Sequence, residues 1–239
     1  MSLDDILIGS EGSEKLHLAD VIADNTAGPA TQVESVEMKR MLVHENRVAG
    51  VSLLRDSGLL DQLLPDLASQ IAAQPAAWDR TLAILRQFQT PTFSMALAAL
   101  FREVYAAVGL DAVRGALGRW KLANEESEGA LRLLREESLI RQAEARPWPE
   151  IQRLLVAPRA EELVSYVDAV AAALGEGLSG VAFCRQKLAL PAAALNPHPL
   201  ITGEDLKRLG IALGRLTAKS WRPCATRSSR GRSLRRKRP

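Results

Sequence analysis

The chain of 239 residues is poor in cysteine and aromatics: two Cys, four Trp, two Tyr and four Phe. Two cysteines far apart, Cys184 and Cys224, exclude a disulfide framework and a Cys-rich zinc module, and they fit a reducing compartment. No apolar run approaches the roughly 18 residues of a membrane span. The start, Met-Ser-Leu-Asp-Asp, is acidic and lacks the basic n-region of a signal peptide, so the expected location is cytoplasmic. Histidine is scarce as well. None of His17, His44 and His198 has a second His or Cys three or four residues on, so no metal site is expected. Asp-x-Asp does not occur, and with it goes the clustered carboxylate pair that a two-metal phosphoryl-transfer site needs. No serine or cysteine sits in a recognisable nucleophile elbow.

What is present is a helix-forming composition. The chain is 47% hydrophobic, mostly Ala, Leu and Val, and 25% charged, enough for a real core. The net charge of +3 hides a split. Ten of the 31 cations and none of the 28 acids fall in residues 215–239, which leaves residues 1–214 at −7. The pI near 9 therefore describes a basic tail on an acidic body.

Residues 1–32, with Gly9, Gly12, Gly28 and Pro29, read as a loosely ordered lead-in with a short helix near Leu16–Ala23. From Val33 the apolar spacing is helical. A break near His44–Asn46 and a stop at Gly58 divide the first part. Pro65 interrupts the patch Leu59 to Leu67, and Trp78 to Phe88 reads as a further helix. Thr90-Pro91 reads as the start of a helix lined by Phe93, Leu97, Leu100 and Val104. Asp111 and Asn124 read as caps of the next two helices. Pro158 opens another that Gly175 stops, Val181–Leu190 is a short helix, and Thr202-Gly-Glu-Asp205 starts a last one ended by Gly210. No convincing strand and no fixed repeat appear. The expected fold is all-α, an elongated array of roughly eight to eleven helices with a disordered basic C-terminal tail.

Gly175-x-Gly177-x-x-Gly180 spells a dinucleotide fingerprint, but a helix precedes it where a strand is required, so it reads as a helix stop and loop. Ile6-Leu-Ile8 before Gly9-Ser10 faintly resembles a strand entering a phosphate-binding turn, with no metal-holding acids downstream. Two groups of cations remain. Lys39, Arg40, His44, Arg47 and Arg55 can face a phosphate backbone, although by spacing alone His44 is a helix-end residue bonded to backbone. Arg119-Trp120-Lys121 combines charge with a stacking ring, although by composition alone a core tryptophan between solvated cations is the commoner arrangement.

Several segments together resemble the non-catalytic part of the bacterial CCA-adding tRNA nucleotidyltransferases, the family that includes bacterial poly(A) polymerases. Val36-Glu-Met-Lys-Arg-Met-Leu-Val-His-Glu-Asn-Arg47, continuing to Leu53-Leu-Arg55, Gly58-Leu-Leu60 and Leu64-Pro-Asp-Leu67, looks like the helix after the family's head domain. Thr92–Val104 and Arg119-Trp-Lys-Leu-Ala-Asn-Glu-Glu126 look like its body, and Leu195-Asn-Pro-His-Pro-Leu-Ile-Thr-Gly-Glu-Asp-Leu206 like the start of its tail. The resemblance runs from Val33 to Ile211. It implies a lead-in at 1–32, RNA-binding neck-like helices at 33–75, a helical body at 76–190, the start of a tail at 191–213 and a basic end at 214–239. It implies tRNA or another RNA as partner, and a catalytic head encoded elsewhere, because 32 residues cannot hold one. The intact family uses magnesium and nucleoside triphosphates, whereas this chain alone is expected to hold no cofactor and to be inactive.

Two further departures matter. Where many relatives carry a metal-binding His-Asp pair, this chain reads Arg102-Glu103, and arginine offers only donors. After Leu213 the chain departs from the family's ending. Back-translation with GC-rich codons and a one-nucleotide shift yields a helix reading Val-Arg-Asp-Ala-Gln-Leu-Glu-Gly, so a frameshift is expected to have replaced the native end. The competing readings are a helical protein-interaction scaffold without an RNA role and a relic reading frame.

Overall fold

The computed structural model describes residues 6–7, 16–17, 29–120, 122–197 and 208, with side chains from Val36 onward. The frameshift, the basic end and the tail segment beyond residue 197 lie outside these residues, apart from Arg208, which is helical. The described chain is all-α but for two two-residue strands. Ile6–Leu7 (β1) pairs antiparallel with Leu16–His17 (β2), in register Ile6 to His17 and Leu7 to Leu16. This corrects two expectations: strands are present, and Leu16 begins one rather than a helix.

The first helix, α1 (Pro29–Val43), starts four residues before Val33, with proline where a missing N–H costs nothing. It buries Met38 and Leu42, one turn apart. The break expected at His44–Asn46 is the turn to α2 (Arg47–Asp56). The two helices approach closely at Gly50, where a Cβ would lie 2.6 Å from the Met41 side chain. Gly58 ends α2 at φ +74°, a conformation that glycine adopts without penalty. The short α3 (Leu59–Leu63) and α4 (Pro65–Ala73) follow, split by Pro65. Then comes α5 (Pro75–Gln87), again opened by proline.

The centre of the molecule is α6 (Phe93–Val108). Ala96, Leu97, Ala98, Ala99, Leu100 and Phe101 are at most 1% exposed, so α6 is covered on nearly every side. Its neighbours are α8 (Asn124–Arg141), α5, α7 (Leu110–Arg119), α4 and α1. Each large apolar side chain it buries contributes about 1.5–3 kcal/mol. Beyond a 3-10 turn at Ala143–Ala145, α9 (Trp148–Val156), α10 (Ala160–Leu174), α11 (Ser179–Leu188) and α12 (Ala192–Leu195) complete the array. α10 packs on α5 and α8, and α11 on α8 and α10. Gly180 permits the contact of α11 with α8: a Cβ there would lie 2.3 Å from the Ile140 carbonyl oxygen. The glycine-rich stretch is thus a helix stop, with Gly175 at φ +67°, and a close crossing.

Several boundaries differ from expectation because capping is decided by geometry rather than residue type. Thr92, not Thr90, caps α6: its hydroxyl accepts from the Met95 amide at 3.2 Å. Gly109 and Ala123 hold the positions assigned to Asp111 and Asn124, both of which are inside their helices. α10 begins after Arg159, which takes a left-handed conformation, rather than at Pro158. Twelve α-helices stand among the described residues, and two of these are single turns.

Candidate nucleic-acid interface

The cations singled out in the sequence fall into three structural situations. The first is exposed and local. Arg40, in the last turn of α1, is 74% exposed at its side chain and donates to Glu37 Oε1 at 2.9 Å. Arg55, in the last turn of α2, is exposed with its guanidinium 5.2 Å from the centroid of buried Trp78. Both charges lie at helix C-termini, where the backbone dipole favours them. His44 is exposed just past α1, and its Nδ1 accepts from the Asn46 amide at 3.1 Å, the backbone-bonded arrangement that spacing suggested.

The second situation is exposed but tied across the fold. Lys39 pairs with Glu126 at the start of α8, and its ammonium lies 5.7 Å from the Phe93 ring centroid. Arg119 at the end of α7 pairs with Asp66 in the first turn of α4. Beside it, half-buried Trp120 donates its indole N–H to the Leu63 carbonyl at 3.0 Å, so the indole serves packing between α7 and α3. Lys121 lies outside the described residues.

The third situation is a correction. Arg47 is 4% exposed and does not belong to a phosphate-facing patch. Its guanidinium donates to the carbonyls of Phe88 at 2.9 Å, Leu85 at 3.3 Å and Gln89 at 3.4 Å. These close the C-terminal end of α5, where orphan acceptors and the negative dipole end stabilise a cation. Burial pulls the Arg47 pKa below its ordinary value. Sequence reading also passed over Arg86. It is exposed in the same last turn of α5 and has no ion pair among the described residues. Only the packing of α2 on α5 brings it into this region, so no local signal marks it.

Arg102 and Glu103 occupy a wholly structural role. Arg102 grips Glu137 of α8 through Nε and Nη2 at 2.9–3.2 Å and reaches Glu103 at 3.0 Å. Glu103 also receives Arg80, and Glu137 receives Arg141 at 3.3 Å. Both carboxylates are 6% exposed. Tyr166, fully buried and stacked on Phe88, faces this cluster, and burial beside Glu137 holds its hydroxyl well above the usual tyrosine range. Magnesium finds no fitting donor set here, because these acids are already shared among three guanidiniums. Among the described residues no group of three or more His, Cys, Asp or Glu is placed to hold a metal ion. Among them, also, no helix is long and apolar enough to cross a membrane.

The segment α1–α4 carries a second surface feature. Four of the eight exposed large hydrophobic residues among the described residues lie on it: Val36, Val43, Leu53 and Leu59, with Leu53 68% exposed. Val36 and Val43 lie seven positions apart, two helical turns, with Arg40 between them on the same face.

A helical segment that presents cations and apolar side chains together is of the class that grips a polyanion or a partner protein. Residues 35–71, from within α1 to within α4, match the family model described as "Probable RNA and SrmB- binding site of polymerase A". The match supports an RNA-binding segment of the poly(A) polymerase-like kind, with RNA as partner. No match was found among curated proteins or among solved structures.

Proposed function

We propose that this chain is the RNA-holding part of a tRNA nucleotidyltransferase-like or poly(A) polymerase-like protein. It serves the addition of CCA or A residues to RNA 3′ ends, with the nucleotide-adding centre supplied by a domain other than helices α1–α12. The observation that carries this reading is the match over residues 35–71, on a segment whose exposed face offers Lys39, Arg40, His44 and Arg55. Arg119 reaches that segment through Asp66. These side chains are suited to phosphates rather than base edges, so binding is salt-sensitive and tolerant of sequence. The test is fluorescence anisotropy with labelled oligo(A) and with a tRNA transcript across a salt series. Both RNAs are expected to bind, more weakly as salt rises, and Arg40→Gln with Arg55→Gln is expected to weaken binding and flatten the slope. Binding that ignores salt, or none, refutes the reading. Incubated alone with CTP, ATP and magnesium, the chain should leave a tRNA lacking its terminal residues unextended; extension would refute the placement of the reacting centre.

A second reading rests on Leu53 and its apolar neighbours, which favour a protein-docking scaffold. The matched model's description itself joins RNA with SrmB binding. Firm capture of a protein partner without retention of tRNA would favour it.

A further inference from the structure

Each ion-paired cation of the proposed RNA surface is already opposed by a carboxylate, and two of those carboxylates come from outside its own helix. Glu126 reaches Lys39 from 87 residues away, and Asp66 meets Arg119 across 53 residues. We infer that Glu126 and Asp66 act as built-in counter-charges, which RNA phosphates must displace, and that they hold RNA affinity below what the cations alone would give. The inference rests on the RNA reading above and adds its regulation.

Both pairs are solvent-accessible. Lys39 and Glu126 side chains are 52% and 23% exposed, and Arg119 and Asp66 are 54% and 38% exposed. A phosphate can therefore approach either cation, and an exposed carboxylate can swing back into water at small cost. Lys39 also rests near the Phe93 ring face, a contact it can keep while its carboxylate partner changes. Arg40, paired only within its own helix, and Arg55, stacked on Trp78, meet phosphate without releasing a distant element. The same two ion pairs join α1 to α8 and α4 to α7, so RNA binding loosens the segment from the body as it takes the cations over.

The experiment measures oligo(A) and tRNA affinity of Glu126→Gln and Asp66→Asn across a salt series. Glu144→Gln is the control: an exposed acid with no ion pair among the described residues, so it changes net charge without freeing a cation. Each of the first two is expected to bind about two- to fivefold more tightly than the control. The slope of log affinity against log salt should steepen by about 0.7 for the single strand, one more phosphate contact's worth. Lys39→Gln added to Glu126→Gln should abolish the gain. Gains no larger than the control's, or a gain that survives loss of Lys39, overturn the inference while leaving RNA binding intact. Failure of every variant and the parent chain to bind either RNA overturns the RNA reading and the inference with it.

Discussion

Replacing Arg47 with methionine keeps the length and apolar stem of the side chain and removes its donors. The Phe88 carbonyl, bonded at 2.9 Å and buried, then loses a charged partner worth about 1.5–3 kcal/mol. The bonds to Leu85 and Gln89 are longer, at 3.3 and 3.4 Å, and Gln89 is exposed, so water compensates part of that loss. Loss of the cation at the α5 C-terminus adds about 0.3–1 kcal/mol. Together these come to about 3 kcal/mol, or a fall in Tm of roughly 6–12 °C for a chain of this size. Thermal and urea unfolding followed by circular dichroism read the loss directly. RNA affinity, measured well below the lowered Tm, should stay within about twofold of the parent, because a guanidinium closing a helix end touches no phosphate. An Arg47→Met protein with parental stability and about tenfold weaker RNA binding would refute this account and return Arg47 to the interface.

Gly180→Ala sets a Cβ against two backbone carbonyls, Ile140 at 2.3 Å and Arg141 at 2.4 Å, so α11 must shift off α8. A loss of at least about 2 kcal/mol is expected in denaturant unfolding. Gly118→Ala, with nothing within 4 Å of the new methyl, should be neutral or gain about 0.5–1 kcal/mol. Cys184 is fully buried, and burial raises its thiol from 9.0 to about 11. It should resist alkylation at neutral pH until the protein unfolds, as peptide mass spectrometry would show. A folded pKa above the unfolded one means that this thiol's contribution is complete below pH 9 and is lost as pH rises through about 11. Cys184→Ala should flatten that alkaline limb of the stability profile.

The helical course of the chain was legible where a residue has one conformational preference. Gly58 and Gly175 end helices in the left-handed region, Pro65 splits α3 from α4, and the polar run His44–Asn46 marks the α1–α2 turn. It was less legible where several residues compete for one role. Thr90 and Thr92 both offer a hydroxyl, and only the second is three residues ahead of an amide it reaches. For the site, a charged side chain reads as solvated unless tertiary packing shows otherwise. Arg47 carries no local mark that three carbonyls at and just past the end of α5, some forty residues on, await it. The partners of Lys39 and Arg119 are equally long-range, and spacing along a helix does not reveal them. Of the two-residue strands, Ile6–Leu7 falls on the stretch that faintly resembled one, whereas Leu16–His17 escaped because it is too short to show alternation.

The interlocked charges of Arg80, Arg102, Glu103, Glu137 and Arg141 work as a ratchet on what this lineage can become. Changing Arg102 to the histidine that the resemblance would call for takes the two-nitrogen grip from buried Glu137, leaving it on the 3.3 Å contact from Arg141. Breaking such a pair costs up to about 3–5 kcal/mol out of a typical stability of about 5–15. A first step toward a hydrolytic metal centre at this spot therefore draws on the stability of the fold before any metal is held in return.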